Sequence, residues 1–127
     1  MPERGSVSLV MLALAAVVLI LGLLVGDLAI YLGARARAQV AADAAALAAA
    51  PVTFRPFGAP GSAVDEARRF AAGNGAALVE CRCAQDPSWR SRAVTVLASV
   101  PADLLLFGET HARAWSSADF DPTRMGR

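Results

Sequence analysis

The sequence predicts an α+β protein: a long N-terminal transmembrane helix with an alanine-rich extension, then a small head of one helix and about three antiparallel strands. Three observations predict it. Val7–Val25 is an unbroken apolar run without a charged residue. Gly33–Ala50, GARARAQVAADAAALAAA, follows without a proline and is dominated by alanine. Beyond Gly75 the apolar spacing changes from a helical period to alternation, the mark of half-buried strands.

The chain has 127 residues, a net charge of +1 and 56% hydrophobic residues, with a mean hydropathy of +0.47. That length holds one small domain plus an anchor, divided here as residues 1–50 for the membrane helix with its extension and 51–127 for the head. So balanced a charge argues against a nucleic-acid binder driven by phosphate contacts. At about 1.5 Å per residue, Val7–Val25 spans roughly 28 Å as a helix. The hydrocarbon core of a bilayer is about 30 Å thick, so a single membrane crossing is the primary reading. A cleaved signal peptide competes with it, with Arg4 in the positively charged region and Ala36-Arg37-Ala38 as the cleavage triplet. That triplet lies far beyond the apolar run, which is itself longer than a signal peptide requires. The arginine count near the two membrane ends, Arg4 against Arg35 and Arg37, leans weakly towards a cytoplasmic head.

One helix is predicted from about Ser6 to Ala50. Asp27 is the only charge between Arg4 and Arg35. It is either wetted at the interface or paired with a neighbouring chain. Tyr31, one turn on, shares its face and suits the interfacial belt. Alanine is the best helix former, so the extension holds a helix in water. Arg35, Gln39 and Asp43 recur at fourfold spacing as a polar stripe. Val40, Ala44 and Leu47 make an adjacent apolar face. Small side chains allow close helix approach, so the rod suits packing on like helices or on its own head; a stalk without a partner is the alternative. Pro51 is expected to end it.

Val52–Ser62, VTFRPFGAPGS, reads as a turn-rich linker. Ser62 is a candidate N-cap, with Asp65 and Glu66 in the first turn. The helix runs from about Ala63 to Ala72, with Val64, Ala67 and Phe70 or Ala71 on one side, and Gly73-Asn74-Gly75 stops it. Strands are expected at Ala76–Cys83, at Arg92–Val100 with Pro101 ending it, and at Thr110–Ala118 with His111, Arg113 and Trp115 on one face. Leu104–Phe107 is a short apolar block, and the tail from Asp119 reads as frayed. The expected head core is Phe54, Phe57, Val64, Phe70, Leu78, Val79, Val94, Val96, Val100, Leu104, Phe107 and Trp115. It is marginal in size, so docking on the alanine rod would add burial and give the rod a reason to exist.

Cys81 and Cys83 stand one residue apart. On an extended strand their α-carbons would lie roughly 6.5–7 Å apart, at or beyond the limit for a relaxed disulfide. Three readings stay open: two small apolar residues on a half-buried strand, a strained or intermolecular disulfide outside the cytoplasm, and metal or redox chemistry. Little else suggests catalysis. There is one histidine, His111, and the 12 basic residues are all arginine. The chain has no phosphate-binding glycine loop, no HExxH and no CxxC. No catalytic, cofactor-binding or metal-binding residue is assigned.

The first 50 residues carry a resemblance. Gly5-Ser6-Val7 before the apolar run, Asp27-Leu28 near its end, Tyr31, Arg35, Arg37, Gln39 and the block Ala41-Ala42-Asp43-Ala44-Ala45-Ala46-Leu47-Ala48 resemble the N-terminal segment of the TadE/TadG-like proteins of tight-adherence (Flp) pilus assembly. The head is more loosely similar to short actinobacterial TadE-like proteins. The resemblance implies a non-enzymatic, single-pass, pseudopilin-like component of a pilus or secretion assembly. Its N-terminus would be cytoplasmic and its head outside, and its partners the membrane, other assembly subunits and further copies of itself in a homo-oligomer. Helix packing would fall to Asp27, Tyr31, Gln39, Val40, Asp43, Ala44 and Leu47. Some relatives are cut by a prepilin peptidase after a glycine with glutamate fifth beyond the cut. Here Gly5 and Ser6 would flank that bond, and the fifth residue is Val10. The competing function is an exported or tethered binding module whose N-terminal signal is removed.

Overall fold

Alanine continues the helix of the apolar run so well that no second helix begins. In the computed structural model, which describes residues 3–54 and 60–126, α1 runs unbroken over Glu3–Val52, 50 residues. Its first half stands free, and every residue from Gly5 to Gly22 is exposed. Its second half enters the head. There Ala34, Ala38, Ala41, Ala42, Ala45, Ala46, Ala49 and Ala50 are buried, at the three- and four-residue spacing of one helix face. The chain does not stop at Pro51. Thr53 N–H still bonds the carbonyls of Ala49 and Ala50, both at 3.3 Å, so the last turn closes around the proline.

α2 (Ala63–Gly73) lies against α1. It begins with a capping box: Asp65 N–H donates to Ser62 Oγ at 3.3 Å, and Ser62 N–H donates to Asp65 Oδ2 at 3.0 Å. It buries Ala63, Glu66, Ala67 and Ala71, while Phe70 is 39% exposed. The chain leaves through Gly75 at a φ of 74°, a backbone region that favours glycine.

Three strands, β1 (Ala77–Arg82), β2 (Arg92–Leu104) and β3 (Gly108–Phe120), form an antiparallel sheet in the order β1-β2-β3. The core-facing row of β2 is Val94, Val96, Ala98, Val100 and Ala102, opposite Ala112, Ala114 and Ala118 of β3. α1 packs across β2 and β3. With alanine on both sides, helix and sheet approach closely, and the core consists of small residues. Val94, Val96, Thr53 and Pro122 are its largest fully buried side chains.

Several expectations are corrected. Val79, Phe70, Trp115 and Phe107 are outside the core, and Phe57 lies outside the described residues. Pro101 does not end β2. β1 pairs with β2 only as far as Ser99, so at Pro101 one edge of β2 is open, where a missing N–H costs nothing. The apolar block Leu104–Phe107 is the end of β2 and the turn into β3. Nor does the tail fray as far as residue 126: β3 continues to Phe120, and a 3₁₀ turn over Pro122–Gly126 buries Pro122.

Candidate functional site

The helix α1 carries the candidate residues, and its environment changes along its length. Val7–Val25 has the length and apolarity to cross a membrane, and its residues are exposed apart from the half-buried Leu23. Two residues on, Asp27 is turned inward and only 4% exposed. Its carboxylate accepts the N–H of Leu105 at one oxygen and that of Leu106, at 2.9 Å, at the other. Both donors belong to the turn between β2 and β3. Asp27 is therefore neither wetted nor turned towards another chain; it clamps the hairpin of its own head. The match is local chemistry: a turn leaves N–H groups without ladder partners, and a carboxylate accepts two of them.

Tyr31 is half-buried against the core cluster. Gln39 joins helix to sheet: its Nε2 donates to Trp115 O of β3 at 3.1 Å and to Asp43 Oδ1 at 3.0 Å. Arg35 and Arg37 are exposed. Val40 and Leu47 face away from the head at 59% and 68% exposure, with Ala44 half-buried at their side. So the expected set divides in two. Asp27, Tyr31 and Gln39 hold the head to the helix, whereas Val40, Asp43 and Leu47 face outward.

At the far end of the head, Cys81 and Cys83 are joined by a disulfide with their α-carbons 5.3 Å apart. β1 ends at Arg82, so Cys83 has left the extended strand, and the gap closes below its extended value. Alongside, Arg92 clamps the loop between β1 and β2 by donating to the carbonyls of Asp86, Ser88 and Arg90, with its guanidinium 5.7 Å from the Phe54 ring. Asp86 N–H donates to Thr53 O at 2.9 Å, which ties that loop to the end of α1. Ser88 N–H, 2.9 Å from Asp86 Oδ1, holds the Asp86 carboxyl below its ordinary value, and the Arg92 and Arg90 charges act in the same direction. Among the described residues no cluster of three or more His, Cys, Asp or Glu could hold a metal ion.

The inward clamp and the outward Val40 and Leu47 were not separable in the sequence. Both sit on one continuous helix, and the partners of Asp27 lie 78 and 79 residues away. No curated protein and no solved structure matches the chain. The model of the putative Flp pilus-assembly TadE/G-like family matches residues 5–52, and it is to this family that the long helix of the protein is similar.

Proposed function

We propose that the protein is a non-enzymatic, single-pass, pseudopilin-like structural subunit of a Flp-type pilus or secretion assembly, joined to its partners through the outward face of α1. One observation carries this reading. Val25, Leu32, Val40 and Leu47 recur about every two helical turns on one side of α1; Val40 and Leu47, above the apolar segment, stay 59% and 68% exposed although Ala41, Ala46 and Ala50 on the flanking faces are buried. A helix whose only task was to support its own head would not need apolar side chains there. The stripe runs from the apolar segment to the top of the head, as required for lengthwise packing on other subunits or on a second copy. The TadE/G-like match to the same helix supports such partners.

The exported-module alternative loses ground on the same helix. Cleavage after Ala38 would remove Ala34 and Ala38 from the core and take Asp27 from the hairpin. A cut between Gly5 and Ser6 would touch none of these contacts. The N-terminus is proposed to be cytoplasmic and the head outside, because a Cys81–Cys83 disulfide persists in an oxidising compartment. The test is the double variant Val40→Glu, Leu47→Glu in cells that build the pilus. Co-isolation with other pilus subunits is expected to be lost while the head stays folded by circular dichroism. Unimpaired assembly would overturn the proposal.

A further inference from the structure

Among the described residues, the turn between β2 and β3 is the most apolar exposed part of the head. Leu105, Leu106 and Phe107 are 64%, 44% and 71% exposed, and no charge lies between Asp103 and Glu109. In water such a tip is a liability. Its position is set by α1. Asp27 accepts two of its N–H groups, and a methyl built on Gly26 would lie 3.5 Å from Leu105 Cδ1. Gly26 and Asp27 directly follow Val25, where the uncharged run ends, so the tip lies within about 3 Å of that level along the helix.

We propose that the tip Leu105–Phe107 inserts into the membrane leaflet from which the head emerges, locked to the helix at that depth by Asp27. This rests on the reading of α1 as a membrane-spanning helix. Three further features favour the bilayer as occupant. First, the apolar surface of α1 does not stop at Asp27. That carboxylate is turned inward, and Leu28, Ile30 and Leu32 beyond it are exposed at 56%, 37% and 52%. Helix and tip thus present one apolar belt, continuous with the span. Second, the belt has a water-side limit on both elements: Arg35 on the helix, Asp103 and Glu109 on the hairpin. From that pair to the tip is about two residues, roughly 7 Å of strand, comparable to the 5–10 Å by which interfacial apolar elements enter a bilayer. Third, a turn in contact with hydrocarbon must have its N–H groups satisfied internally, and the Asp27 carboxylate does this for two of them. A turn in water would need no buried acceptor.

The test is depth-dependent fluorescence quenching in phosphatidylcholine vesicles carrying a nitroxide either high on the acyl chain, at the depth of the tip, or low on it, at the depth of residue 17. Three single-tryptophan forms of the full chain are compared: Phe107→Trp in a Trp89→Phe, Trp115→Phe background; Val17→Trp in the same background; and Trp115→Phe alone, which keeps Trp89. Trp89 sits in the loop tied to Thr53, roughly 39 Å up the helix from Asp27. The expected result is that the residue-107 probe loses most of its emission to the high nitroxide, the residue-17 probe to the low one, and Trp89 to neither. If the probe at 17 is quenched and the probe at 107 is not, the span stands and the insertion fails. In that case quenching of the 107 probe by aqueous iodide means a tip in water, and protection from both quenchers means a tip covered by a second copy. If neither probe is quenched, the spanning helix itself is wrong and the insertion falls with it.

Discussion

Asp27 is a carboxylate in surroundings that disfavour charge, and two backbone N–H groups make it tolerable there. Asp27→Ala would leave both donors without an acceptor and is expected to cost about 2 kcal/mol or more. Asp27→Asn keeps one oxygen and should cost roughly half of that. Unfolding by guanidinium in detergent micelles measures both, and equal midpoints for wild type and Asp27→Ala would contradict the clamp. The alanines divide as sharply. Ala45 is fully buried in the core cluster, so Ala45→Leu should overpack and cost about 1–3 kcal/mol. Two residues on, Leu47 faces outward, and Leu47→Ala should change head stability by no more than about 0.5 kcal/mol. The sequence shows Asp27 as an isolated charge in an apolar context, but not its partners, because no local pattern encodes a contact across 78 residues.

At the scale of elements, local chemistry was the most legible. Ser62 and Asp65 form the capping box that their spacing suggests, and α2 starts and stops within a residue of its expected ends. Bonds from the Ser62 hydroxyl and backbone, with Arg68 beyond them, hold the Asp65 carboxyl below its ordinary 3.8. A lowered folded value stabilises the helix above the unfolded value, and that support is lost as the pH falls through the folded one. Helicity of α2 should therefore decline in acid below about pH 4, and Asp65→Asn should flatten that part of the profile; an unchanged profile would count against the cap. The strands were less legible. Alternation revealed β2 and the outward row of His111, Arg113 and Trp115 on β3, but Pro101 hid the last four residues of β2. Proline interrupts a strand only where its N–H is needed, and whether β1 extends that far is not written in β2 itself. The same break made the hairpin tip read as core. A run of Leu and Phe has equal hydropathy in a core and in a turn; the turn shows only in Gly108, whose φ of 72° favours glycine.

For the whole molecule, the alanine-rich segment explains how one helix carries an apolar segment long enough to cross a membrane and also forms part of a domain. Its methyls are small enough to lie flat on a sheet faced with alanine and valine, so the head needs no large hydrophobic core and cannot be separated from α1 without losing one wall. The sequence pointed to that docking, since the head alone offered too few large side chains. It could not tell the inward alanine face from the outward one, because alanine carries no directional signal. The disulfide adds a compartment prediction. Protein from intact membranes, alkylated under denaturing conditions without reduction, should take no label, and after reduction should take one on each of Cys81 and Cys83. Full labelling before reduction would place the head in a reducing compartment and reverse the proposed orientation.

In the proposed assembly, α1 meets its partners through the side its own head leaves bare. A photo-activatable amino acid placed at Val40, Leu47 or Arg113 in pilus-building cells tests it most directly, Arg113 being exposed on the opposite side of the sheet. Covalent adducts with pilus subunits or a second copy are expected from positions 40 and 47, and none from position 113. Adducts from position 113 with none from 40 or 47 would contradict it and make the head, not the helix, the binding element.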